Sequence, residues 1–130
     1  MITKKQFLDC VNTAKNNPDG TVWHVMGKLK DGRELCLVFG YEEGYEDGED
    51  YQIKQGDETW TLCCKLAVNI DDFQAGYNYD WYMPSDKKTG DVWDTDMAVC
   101  IGDGTPSSLD WYNEQAKAII KAFDRGELEV

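Results

Sequence analysis

The chain has 130 residues, 42% of them hydrophobic, with seven Tyr, five Trp, four Phe and a net charge of −12. That length buries a core without staples, and the aromatic content excludes disorder. With no apolar run of about 18 residues and no apolar leader core, the expectation is one cytoplasmic domain over residues 1–130, without a membrane segment and without direct binding to nucleic-acid phosphate.

Thr3 and Gln6 have capping-box spacing, and Phe7, Leu8, Val11 and Ala14 recur at helical period, which predicts a helix from Lys4 to about Asn16. Asn16-Asn17-Pro18-Asp19-Gly20 stops it. Thr21 to Lys30 and Arg33 to Phe39 read as strands of a hairpin around a two-residue Asp31-Gly32 turn, with Leu35, Leu37 and Phe39 opposed to Glu34, Cys36 and Val38. Tyr41 to Tyr51 holds six acids in eleven residues with two glycines, the composition of an exposed loop or ragged edge. Gln52 to Gln55 is a short strand, turned by Gly56-Asp57 into the stretch Thr59 to Asn69. There Trp60, Leu62, Cys64, Leu66 and Val68 alternate with Thr59, Thr61, Cys63, Lys65 and Ala67, predicting a central strand buried on one side.

Ile70 to Gly76 reads as a connection with room for one helical turn. Tyr79, Trp81 and Met83 alternate with Asp80 and Tyr82 in a strand ended by Pro84, and Ser85 to Asp91 is a polar turn. Val92 to Ile101 is the last strand, with Trp93, Thr95, Met97, Val99 and Ile101 facing one way and Asp94, Asp96 and Ala98 the other. Ser107 and Asp110 mark the start of a helix from Leu109 to about Asp124, whose stripe is Tyr112, Ala116, Ile119, Ile120 and Phe123. Gly126 stops it, leaving a frayed tail. The predicted fold is α+β: an antiparallel sheet of about six strands in three hairpins, with the N-terminal and C-terminal helices on one face. Trp60, Leu62, Leu66, Tyr112, Ile119 and Phe123 share its core.

Catalytic and metal motifs are absent, and no cofactor is expected. The five cysteines lack a C-x-x-C pair, and Cys36, Cys64 and Cys100 sit in apolar patterns as core fillers. His24, the sole histidine, has no zinc-ligand partner and no nucleophile elbow. Asp86, Asp91, Asp94 and Asp96 fail the EF-hand spacing, with Lys88 and Gly90 at the third and fifth positions; Asp94 and Asp96 share a strand face and could meet Asp80 across a hairpin.

The negative charge is concentrated, with −7 in residues 41–58 and −7 in residues 71–110. Carboxylates along such a segment can take positions that phosphates take in a basic groove, and tyrosines can stack on arginine. Glu42, Glu43, Tyr45, Glu46, Asp47, Glu49, Asp50 and Tyr51 are therefore the candidate partner-binding residues, with Asp80, Asp94 and Asp96 beside Trp81 and Trp93 as the second group. In size and composition the chain resembles small acidic phage and mobile-element inhibitors of host defence, the anti-CRISPR and anti-restriction proteins that mimic DNA, on Glu42 to Asp50 and Asp91 to Asp96. The resemblance implies a non-enzymatic inhibitor of a basic nucleic-acid-binding partner such as a CRISPR nuclease. The alternatives are a mobile-element or housekeeping protein-interaction domain and a nucleotide-binding sponge.

Overall fold

Helix α1 (Lys4–Asn16) starts on the reciprocal bonds its sequence offers: Gln6 N–H donates to Thr3 Oγ1 at 3.2 Å, and Thr3 N–H donates to Gln6 Oε1 at 2.9 Å. The structure, a computed structural model, describes residues 1–69, 81–102, 105–106 and 109–130. The 70–76 connection, Tyr79, Asp80 and the Ser107 cap lie outside the described residues.

Strands β1 (Val22–Lys28) and β2 (Glu34–Glu43) form the first hairpin, but its turn is wider than the expected two-residue Asp31-Gly32 form. Gly32 N–H donates to Leu29 O at 2.9 Å, placing Lys30 and Asp31 at the corner and Gly32 after it at φ +94°. Leu29 is buried beneath this turn, and the Arg33 N–H is taken by Asp31 Oδ1 at 3.1 Å.

Strand β3 (Gln52–Gln55) turns into β4 (Glu58–Asn69), and the sheet order is β1-β2-β4-β3. β4 is central, as its alternation predicts. One edge pairs with β2 along its length, from Leu35↔Val68 to Glu43↔Trp60. The other edge is shared in succession by β3, by β7 (Met97–Ala98) at Cys63 and Cys64, and by β5 (Trp81–Tyr82) at Val68 and Asn69. Among the described residues this makes a six-stranded antiparallel sheet with α1 and α2 (Leu109–Asp124), an α+β fold.

Val92 to Ile101 is not one strand. Trp93 N–H goes to Pro84 O at 2.8 Å, Asp96 N–H is taken by Asp94 Oδ1 at 3.0 Å, and Thr95 Oγ1 accepts Leu66 N–H at 2.7 Å. A side-chain oxygen thus replaces a ladder bond, leaving β7 and, farther on, β8 (Ile101–Gly102) paired with β9 (Thr105–Pro106). The inward set survives nevertheless, since Thr95 and Val99 are buried. The tail is not frayed either: β10 (Leu128–Glu129) pairs with β6 (Ser85–Asp86), because Leu128 is buried in the core and Glu127 O accepts Lys87 N–H at 3.0 Å.

Phe7 and Val11 of α1, Tyr112, Ala116 and Ile119 of α2, and the β2–β4 set Leu35, Leu37, Phe39, Leu62, Leu66 and Val68 form one buried cluster. Trp60 does not join it, because its Nε1 turns to Glu58 Oε2 at 3.3 Å near the end of β4. The reverse face is covered as well, contrary to the one-sided burial expected of β4. Cys36, Val38 and Ala67 lie under Trp23 and Trp81, whose rings are 5.6 Å apart, and Thr61 and Cys63 are also buried. Cys100, expected in the core, is exposed, since it lies between the two-residue strands β7 and β8 rather than in a continuous one.

Candidate functional site

The acidic run divides in two. Tyr41, Glu42 and Glu43 belong to β2, because their register with Leu62, Thr61 and Trp60 continues the ladder past Gly40. Gly44 at φ +96° leaves the strand, Gly48 at φ +89° reverses the chain, and a 3-10 turn at Glu49–Tyr51 returns it to β3.

This loop is anchored. Tyr45 O accepts Thr61 Oγ1–H at 3.0 Å and Gln52 Nε2–H at 3.4 Å. Gly48 lies so close to the sheet edge that an added Cβ would sit 3.0 Å from Val99 O and 3.2 Å from both Ala98 Cβ and Thr61 Cγ2. Gly48→Ala combines that crowding with a left-handed backbone, so we expect a loss of about 1–3 kcal/mol. Thermal unfolding checks it, with Gly44→Ala as a strained but uncrowded comparison.

Glu43, Glu46, Asp47, Glu49 and Asp50 are exposed, and the last four line one open concavity with Cys100 and Ile101. Among the described residues no Lys or Arg forms an ion pair with any of them. The tyrosines point elsewhere. Tyr51 is half-buried against the core with Lys15 Nζ 5.1 Å from its ring centroid, and half-buried Tyr45 faces Asp96. Asp94 is exposed and spends its Oδ1 on the Asp96 N–H. Asp80 lies outside the described residues.

Glu42 and Asp96 converge instead on the reverse face of the sheet. Gly40 pairs with Cys63, and its missing side chain leaves a pocket bordered by Val38, Gly40, Glu42, Cys63, Lys65 and Asp96. Carboxylate oxygens of Glu42 and Asp96 and the Cys63 sulfur all lie within 4.8 Å of one another, and Lys65 Nζ is 3.7 Å from Glu42 Oε1. Burial, followed by the Asp96 charge, raises the Glu42 carboxyl above its ordinary range, with Lys65 opposing. Burial and the same two carboxylates push the Cys63 thiol up to about 12. Asp96 also engages the Tyr45 hydroxyl, yet its Oδ1 is sealed from solvent with no hydrogen-bond partner. The sequence reading missed Cys63. Its one signal was its place on the Thr61–Lys65 face, and only the β2–β4 register reveals what faces it.

The remaining motifs resolve into local structure. Asp86 Oδ1 takes the N–H groups of Lys88 and Thr89 at 2.7 and 2.9 Å, which holds its carboxyl below the usual range. His24 pairs with Leu37 while Cys36 pairs with Val25, so the two side chains leave opposite faces.

The thiols make a ranked prediction. Burial raises Cys36 and Cys64, like Cys63, to about 12 and raises half-buried Cys10 less, whereas Cys100 is exposed. At mildly alkaline pH, a thiol reagent should modify Cys100 first and Cys10 slowly, and the other three only on unfolding. Peptide mapping reads the order, and early labelling of Cys36 would contradict the described burial.

No helix among the described residues is long and apolar enough to cross a membrane. No protein-family model, curated protein or solved structure matches the chain.

Proposed function

We propose that the protein is a non-enzymatic docking protein of the cytoplasm whose anchored acidic loop takes the place of nucleic-acid phosphates on a basic, nucleic-acid-handling partner and so blocks it. The observation that carries the reading is that Glu43, Glu46, Asp47, Glu49 and Asp50 are exposed without an ion-pair partner among the described residues, on a loop held by Thr61, Gln52 and the close approach of Gly48. Unpaired like charges repel, and a cationic surface relieves that repulsion. Because the hydrogen bonds from Thr61 and Gln52 tie the loop to the sheet, docking loses less chain entropy than it would for an untethered acidic tail. A CRISPR effector nuclease is the partner implied by the compositional resemblance to phage and mobile-element inhibitors.

A nucleotide sponge is a poorer reading of this loop, since nucleotide phosphates would face five carboxylates there. The immobilised protein should capture a basic nucleic-acid-binding protein from cell extract at low salt and release it as salt rises, with mass spectrometry naming the captured species. Retention that ignores salt, or retention of acidic proteins alone, would count against the proposal.

A further inference from the structure

We propose that Glu42, Cys63 and Asp96 form a binding site for a zinc-class divalent metal ion, which would tie β2, β4 and the segment leading into β7 together beneath the acidic loop. The three donors come from three separate stretches of chain and meet at the Gly40 pocket with their ligand atoms within 4.8 Å of one another. Ligand atoms on a tetrahedral zinc stand about 3.5 Å apart, so shifts on the order of 1 Å would close the set. Asp96 Oδ1 is sealed from solvent without a hydrogen-bond partner, so this carboxylate keeps an unsatisfied acceptor that a cation bound to it would offset.

The donor types select the metal. One sulfur with two carboxylates suits zinc or cobalt, whereas magnesium and calcium take oxygen alone. Cys63 is 2% exposed and donates to Thr61 O at 3.4 Å, so binding displaces the thiol proton to solvent as the sulfur turns to the metal. Lys65 can stay on one oxygen of Glu42 while the other ligates, orienting the carboxylate from behind. The Gly40 pocket leaves space for water at a fourth position. This site does not depend on the docking proposal.

The full chain should be titrated with cobalt(II) and with zinc(II) in a magnesium background that occupies surface carboxylates. We expect one cobalt per chain with a thiolate-to-metal charge-transfer band, and a rise in the thermal midpoint with zinc. Cys63→Ser should abolish the band while the buried-thiol control Cys36→Ser keeps it, and Asp96→Asn should weaken zinc binding at least tenfold. If Cys63→Ser fails to fold, Asp96→Asn and Glu42→Gln carry the test. Absence of the band in the wild type, a band unchanged by Cys63→Ser, or zinc affinity unchanged by Asp96→Asn overturns the proposal.

Discussion

Leu66→Ala should lower stability by about 2–5 kcal/mol, the range for truncating a buried leucine. Leu66 has no exposed surface, faces Leu37 across the β2–β4 ladder, and belongs to the cluster that both helices cover. Its backbone N–H is the donor that Thr95 Oγ1 accepts, and Tyr112 Oη–H donates to Cys64 O at 3.0 Å and Thr95 O at 3.3 Å, so its neighbours are fixed by bonds of their own. A site braced in this way collapses poorly around a cavity, placing the expected loss in the upper part of the range. Equilibrium denaturation checks it. A loss under about 1 kcal/mol would mean that the site repacks freely.

Reversing Glu43, Glu46, Asp47, Glu49 and Asp50 to Lys should weaken the proposed complex by on the order of a hundredfold or more and leave the fold intact. The asymmetry follows from position. Exposed charges without ion pairs add little to stability, and reversing five of them moves the net charge from −12 to about −2, which eases repulsion across the chain as a whole. In the complex each reversal turns an attraction into a repulsion, and the effect falls as salt shortens the reach of charge to about 8 Å at physiological ionic strength. Glu42 is left out of this set because its ion pair with Lys65 and its place beside Cys63 make it part of the pocket. Circular dichroism and a titration against the captured partner separate the two readouts. Normal binding by the reversed protein would make the loop a solvated surface.

The elements legible in the sequence are those whose determinants are local. Thr3 with Gln6 and the α2 stripe ending at Gly126 need no tertiary information, and the period-two pattern of β4 identifies its core face. What the pattern could not supply was long-range. Val92 to Ile101 alternates like a strand, but whether Thr95 bonds through its backbone or its hydroxyl depends on where Leu66 lies, 29 positions away. The tail looked polar because Leu128 is its single buried anchor, and its partner strand is two residues long.

The candidate site was legible to the same extent. Charge density marked the loop, and residues 46, 47, 49 and 50 do stand exposed together. The composition could not tell that Gly48 seats the loop on the sheet or that Tyr45 turns toward Asp96. It also grouped Glu42 with its exposed neighbours. The ladder decides otherwise, because Gly40 opposite Cys63 opens the space where Glu42 meets Asp96.

The central claim is that the loop occupies the surface on which its partner holds nucleic acid, and a competition measurement tests this most directly. Labelled duplex DNA or guide RNA bound to the purified partner is titrated with the wild-type protein, and release of the nucleic acid is followed by anisotropy. The account predicts that the wild type displaces the nucleic acid at one equivalent per site and that the five-lysine variant does not. A stable ternary complex of protein, partner and nucleic acid, with the label still bound at saturation, would contradict it.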